Sequence, residues 1–226
     1  MVFYFSCNKN EDLKKCASLI DRGSIIIFPT DTVYGIGCDP LNDESVLKIF
    51  KIKNRPLDKY LPILTSNISH LSKFVEITEE ANILINHFWP GQLTLILKLQ
   101  NNSLTSRYAF DKTIAIRIPN NICTTNLIQM TKNKLLVGTS ANLYKHAPFT
   151  NVKDLKTSDL QGYDAVIDGG TPSASASASA FNSSLNISTI VDLVEINNPK
   201  ITREGIISKE KIFAILKEDL QEKKKK

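Results

Sequence analysis

Three cations fall within seven residues in KNRPLDK: Lys53, Arg55 and Lys59. Pro56 stiffens the turn, and on an extended segment the Lys-x-Arg spacing would aim Lys53 and Arg55 the same way. A guanidinium offers a planar fork and an ammonium a compact charge, a combination that suits the oxygens of a polyphosphate. The plainer reading is a pair of solvated cations complementing a helix C-terminus. Two further stretches favour a ligand. IIIFPTDTVYGIGCDP, residues 25–40, runs from an apolar strand into three hydroxyl-bearing side chains, a carboxylate and two glycines within the eight residues 30–37. VGTSAN, residues 137–142, repeats the pattern and ends a short apolar strand in Thr139, Ser140 and Asn142. In open α/β sheets, ligand crevices lie at the carboxyl ends of strands, which is where both stretches sit.

Arg117 is the next candidate, on the less apolar face of TIAIRIP. A charge there must reach water, an internal Asp or an anionic ligand, because burying it unpaired costs several kcal/mol. STIVDL adds Ser188, Thr189 and Asp192, and TREG adds Arg203. No residue has the surroundings of a nucleophile. His70, His87 and His146 occur singly, outside any metal-ligand or Cys/Ser–His pattern, and neither GxxxxGK[ST] nor GxGxxG is present. Cations, hydroxyls and amides without a nucleophile suit a reaction run by positioning and electrostatics, as phosphoryl or nucleotidyl transfer is.

Holding these groups requires strand ends and helix ends. Periodicity predicts helices over 10–21, 43–52 and 121–131, one capped by Thr78, and a last one starting near Ser208. Strands are predicted over 24–28, 61–64, 93–99, 113–119, 135–138, 164–170 and 187–193. Strands and helices alternate without a clean βαβ repeat. The expected fold is therefore α/β of the α+β type, an open twisted mixed parallel/antiparallel sheet flanked by helices.

Of the 226 residues, 42% are hydrophobic and 23% charged, ordinary values for a globular chain. One domain is expected over residues 1–220, interrupted by a low-complexity surface loop at 172–184 and followed by a disordered basic tail at 221–226. The tail QEKKKK carries +3 of the +5 net charge, so the body is near neutral and global charge does not mark a nucleic-acid binder. No apolar run approaches the ~20 residues that span a bilayer, so no membrane partner is expected. Cys7, Cys16, Cys38 and Cys123 form no CxxC pair, an arrangement that speaks against a zinc site or a disulfide framework and fits a reducing, cytoplasmic setting.

FPTDTVYGIGCDP, KNRP with the following LDK and LPIL, FWPGQLTLIL, IAIRIP, GTSAN and STIVDL occur in the order and rough spacing of YrdC-like proteins. From about Gly23 to Arg203 the chain resembles that family of threonylcarbamoyl-AMP synthases, in its short single-domain form. The resemblance implies conversion of L-threonine, bicarbonate and ATP to threonylcarbamoyl-adenylate and pyrophosphate, with Mg²⁺ on the ATP phosphates. Partner proteins would then pass the threonylcarbamoyl group to the adenosine beside the anticodon of tRNA, and tRNA contact is a further expectation. Carried onto this sequence, the family's catalytic and ATP-binding tetrad is Lys53, Arg55, Ser140 and Asn142, joined at the nucleotide by Thr139 and Arg203. The threonine pocket falls on Thr32, Tyr34, Arg117 and Thr189; no protein metal ligand is implied. Lys53 and Arg55 would screen a carbamate anion from the α-phosphate it attacks. The alternatives on the same fold are a YciO-like paralogue, which tends to lack the tetrad kept here, and a double-stranded RNA or tRNA-binding module without this activity.

Overall fold

The structure is a computed structural model that describes residues 1–72, 74–100, 106–156, 158–170 and 187–223. In chain order the elements are β1 (Phe3–Ser6), α1 (Asn10–Asp21), β2 (Ile26–Phe28), β3 (Gly35–Gly37), α2 (Asp43–Lys53), β4 (Ile63–Thr65), α3 (Glu79–Phe88), β5 (Leu93–Lys98), β6 (Thr113–Arg117), α4 (Ile122–Met130), β7 (Leu135–Val137), β8 (Thr139–Ser140), α5 (Val152–Lys156), β9 (Ala165–Asp168), β10 (Thr189–Asp192), β11 (Lys200–Arg203) and α6 (Lys209–Lys223). Local chemistry sets the helix starts. Asn42, Thr78 and Asn121 each accept a backbone N–H three residues on, capping α2, α3 and α4. The serine-rich loop at 172–184 lies outside the described residues. Helix α6 runs three residues into the stretch read as a tail, and 224–226 lie outside.

The strands form two mixed sheets where one was expected. The first has the order β1-β9-β2-β3-β8 and the second β11-β10-β5-β6-β4-β7. The region read as a single strand, 135–138, is where they part. Strand β7 belongs to the second sheet and β8 to the first, with Gly138 alone between them. A Cβ on Gly138 would lie 2.3 Å from Leu64 Cγ, so a larger residue at this crossing would have to displace the buried Leu64. The GIG of the 25–40 stretch, for which no strand was predicted, is β3, paired antiparallel with β2 and with β8. Its glycines bring the sheets close together: a Cβ on Gly37 would lie 1.9 Å from the Val137 carbonyl oxygen.

Burial alternates along the central strands. Ile25 and Ile27 join the main core, which includes Leu93, Leu95 and Leu97 of β5 and Ile114 and Ile116 of β6. Ile26 and Phe28 face a smaller core formed with Leu13, Cys16 and Ile20 of α1 and Leu127 and Ile128 of α4. This two-sided cover explains the unbroken apolar run of β2.

The cysteine expectation is corrected. Cys7, just past β1, and Cys123, in the first turn of α4, form a disulfide with Cα atoms 5.4 Å apart. Their 116-residue separation concealed the pairing, which depends on β1 lying beside β9 and on α1 packing against α4. Cys16 and Cys38 are free and buried. No helix among the described residues is long and apolar enough to cross a membrane.

The tight seam yields a stability prediction. Gly37→Ala must displace backbone and should lower unfolding free energy by about 2–4 kcal/mol in urea titrations. Gly170→Ala, with φ +71 and no atom within 4 Å of the added Cβ, should cost only ~1 kcal/mol.

Candidate active site

A cavity of about 600 Å³ opens between the two sheets. Its floor is the face of the second sheet turned away from the core, with Thr94 and Ile96 of β5, Thr113, Ala115 and Arg117 of β6, and Ile190 of β10. Period-2 alternation puts the polar partners of the buried Leu and Ile residues here. The opposite wall comes from the first sheet: Thr30, Thr32, Val33 and Tyr34 from the loop after β2, and Thr139 and Ser140 of β8. Arg55, Asp58, Lys59 and Tyr60 close one side and Arg203 another.

Arg117 is buried, and its guanidinium is held from three directions. Nη2 donates to Asp31 Oδ1 at 2.6 Å, Nε to the Gly91 carbonyl at 2.8 Å, and Nη1 to Thr32 Oγ1 at 3.3 Å. Of the partners the sequence left open, the structure provides the internal Asp. The Trp89–Pro90 peptide bond is cis, and Gly91 follows it. Thr30 Oγ1 accepts the Thr32 and Val33 amides and donates to the Val33 carbonyl, which shapes the loop that carries Asp31 and Thr32. Asp31 Oδ2 is the one buried side-chain polar atom without a hydrogen-bond partner among the described residues.

Lys53 and Arg55 do not point the same way. Lys53 ends α2, and Asn54 follows with φ +50, a left-handed turn that separates the two side chains. Arg55 reaches the cavity wall, where Nε donates to the Lys59 carbonyl and Nη2 to the Tyr60 carbonyl, and its guanidinium lies 5.9 Å from the Tyr144 ring centroid. Lys53 sits behind the wall, 2% exposed, and donates to the carbonyls of Ser140 and Asn142. Asn142 is likewise behind, with Nδ2 donating to the carbonyls of Leu143 and His146. The tetrad therefore divides: Arg55 and Ser140 line the cavity, and Lys53 and Asn142 back it. Thr139 Oγ1 and Ser140 Oγ make no hydrogen bond among the described residues, which leaves both hydroxyls open to a ligand.

Thr189 also lies behind the surface. Its Oγ1 donates to the Ile207 carbonyl and accepts the amides of Gly205 and Ile207. The cavity instead meets its neighbours Ser188 and Ile190. Tyr34 contributes ring surface, since its hydroxyl donates to Gly170 O and accepts the Gly169 amide. Arg203 donates to the Ser188 carbonyl through Nε and Nη2, and to Ser188 Oγ through Nη2. Burial, with the charges of Arg117 and Arg55, pulls the Arg203 pKa down to about 10. The charges of Arg117 and Arg55 thus bear on Arg203 at the cavity, and an anion bound there would relieve that repulsion.

The sequence pattern of the Sua5/YciO/YrdC family, described as telomere recombination, matches residues 18–205. The chain belongs to that family. It is 31% identical to a threonylcarbamoyl-AMP synthase of Bacillus subtilis over 90% of this chain and 56% of the relative, so it spans just over half of that relative's length. A threonylcarbamoyl-AMP synthase of Pseudoalteromonas translucida is 32% identical over 71% of this chain and 89% of its own. Among solved structures, Sua5 of Pyrococcus abyssi complexed with L-threonine superposes with a TM-score of 0.81 at 28% identity, covering 96% of this chain and 61% of that one. Within this Sua5/YciO/YrdC domain, sequence reasoning missed Thr94, Tyr60 and Thr202, which also line the cavity. The polar face of β5 was the available signal for Thr94; Tyr60 and Thr202 had none.

Two predictions concern the buried charges. Asp31→Ala leaves Arg117 buried without its anion and should lower stability by about 3–5 kcal/mol in urea unfolding. Burial and the nearby Arg55 pull Lys53 down from 10.5 to about 7. A depressed folded-state pKa means that the unfolded chain binds the proton more tightly, so the contribution of Lys53 rises with pH above 7 and is lost as pH falls through 7. Relative to Lys53→Met, the wild type should gain about 2 kcal/mol between pH 7 and pH 9. Unfolding titrations at both pH values check this, and equal differences at the two would contradict it.

Proposed function

We propose that this domain synthesises threonylcarbamoyl-adenylate, joining L-threonine, bicarbonate and ATP and releasing pyrophosphate. The observation that carries the reading is the cavity wall: three guanidinium groups and, among the described residues, two unengaged hydroxyls around a volume suited to a nucleotide, with neither Cys nor His among the groups that line it. The relatives' name, threonylcarbamoyl-AMP synthase, and the L-threonine complex of the Pyrococcus protein support threonine as a substrate and an adenylate as the product.

The chemistry divides among the residues present. The threonine amine adds to carbon dioxide derived from bicarbonate, losing its protons to give a carbamate. A carbamate oxygen then attacks the α-phosphorus, and the bond to the β-phosphate oxygen breaks to release pyrophosphate. Arg117, fixed by Asp31 and Gly91, would take the threonine carboxylate, with Thr32 and the Tyr34 ring as the adjoining wall. Arg55, Thr139 and Ser140 would take the phosphates, and Arg203 the nucleotide. Two anions can approach only where cations screen them, and Arg117 on the floor and Arg55 at one side both line the cavity.

Mg²⁺ enters this reading as part of the substrate, MgATP. Among the described residues no group of three or more His, Cys, Asp or Glu is placed to hold a metal, and Asp58 is the one carboxylate on the cavity wall. The product is a reactive adenylate, so a partner protein would carry the threonylcarbamoyl group to the adenosine beside the anticodon in tRNA. That role would place the protein with tRNA in the cytoplasm, although the Cys7–Cys123 disulfide does not itself argue for a reducing compartment.

Pyrophosphate release, followed with ATP in bicarbonate buffer, should require L-threonine. Arg55→Ala should lower kcat/KM for ATP by about 10²-fold or more, as loss of one preorganised donor does. Wild-type rates in that variant, or release indifferent to threonine, would overturn the assignment.

A further inference from the structure

Lys53 is a long charged side chain with almost no exposure, and among the described residues no carboxylate lies within 4 Å of it. Nζ donates to Ser140 O at 2.5 Å, to Asn142 O at 2.7 Å and to Asn142 Oδ1 at 3.4 Å. An ammonium has three protons, and all three are engaged. The backbone answers from the other side, where the Tyr144 amide donates to the Lys53 carbonyl at 2.7 Å. Asn142 extends the knot through its two bonds to Leu143 and His146. The Ala141 amide ties the same turn to the Tyr34 carbonyl. Ser140 is the member of this knot that lines the cavity.

Reaching a phosphate would require Lys53 to release at least one of these carbonyls. A buried acceptor left without its donor costs about 1–3 kcal/mol. We propose that Lys53 is a positioning residue: it pins the Ser140–Asn142 turn so that Ser140 meets the ligand, and it touches no substrate. The identity of that ligand rests on the adenylate reading above; the pinning of the turn does not. A lysine whose pKa is pulled down to about 7 fits this role, because the amine keeps two N–H groups for the two carbonyls, giving up only the long bond to Asn142 Oδ1, whereas only the ammonium screens charge.

The test combines two measurements on the wild type, Lys53→Met and Lys53→Gln. In ligand-free protein, backbone hydrogen exchange at Ala141 and Tyr144 should be at least about tenfold faster in Lys53→Met, with β5 and β10 unchanged. Lys53→Gln keeps a donor without the charge and should recover most of that protection, which also serves if the Met variant fails to fold. Calorimetric binding of ATP, ADP and AMP to Lys53→Met should weaken by about tenfold for all three alike, with threonine affinity retained and Lys53→Gln close to wild type. A loss that is largest for ATP and smallest for AMP, unrelieved in Lys53→Gln, would show a charge acting directly on phosphates and overturn the proposal. Should the wild type bind no adenine nucleotide, the adenylate reading fails, and exchange at Ala141 and Tyr144 alone decides the pin: faster exchange supports it, and unchanged exchange overturns it.

Discussion

Arg117 donates to Asp31 across 2.6 Å where the two sheets face each other, and the site is arranged around that pair. Asp31 comes from the loop after β2 in the first sheet, Arg117 from β6 in the second, and neither can be left alone in so dry a position. Breaking such a pair by removing one partner is costly, whereas forming it fixes the geometry of both walls. The Gly91 carbonyl, just beyond the cis Trp89–Pro90 bond, adds a third attachment. The FWPG turn, the PTDT loop and the IAIRIP strand, far apart in sequence, thus meet at one guanidinium.

Around this anchor the wall has two layers. Arg55, Ser140, Thr139 and Arg203 face the cavity, while Lys53, Asn142 and Thr189 stand behind them with their polar atoms engaged by backbone. Glycine supplies the close approach on which the layering depends. Gly138 carries the chain from one sheet to the other within a single residue, and Gly37 lets β3 lie against the carbonyl of Val137. Arg117 is paired with Asp31, but Arg55 and Arg203 face the cavity beside it, and the repulsion felt by Arg203 is the physical basis for reading it as an anion site.

Much of this was legible in the chain. The apolar runs ending in hydroxyls located both walls, and the alternation of TIAIRIP placed Arg117, Ala115 and Thr113 together on one face, the face that floors the cavity. Thr78 marked the start of α3, and periodicity placed the starts of α2 and α4 to within a residue. Side-chain direction was not legible at turns and strand ends. The Lys-x-Arg spacing looked extended, but Asn54 takes a left-handed conformation that sends Lys53 inward and Arg55 outward. Thr189 and its neighbour Ser188 differ by one step of strand register, which a sequence does not settle without its pairing partner. The second sheet, the Asp31 partner of Arg117 and the Cys7–Cys123 bridge all rest on contacts between distant segments, to which local periodicity is blind.

The central claim is that one cavity receives both an amino acid and a nucleotide. A crystal structure of the full chain with L-threonine and a non-hydrolysable ATP analogue tests it most directly. The account predicts the threonine carboxylate on Arg117 and the phosphates on Arg55, Ser140 and Arg203, with Lys53 Nζ still on the carbonyls of Ser140 and Asn142. Ligands bound elsewhere on the molecule, or phosphates on Lys53 with those carbonyls released, would contradict it.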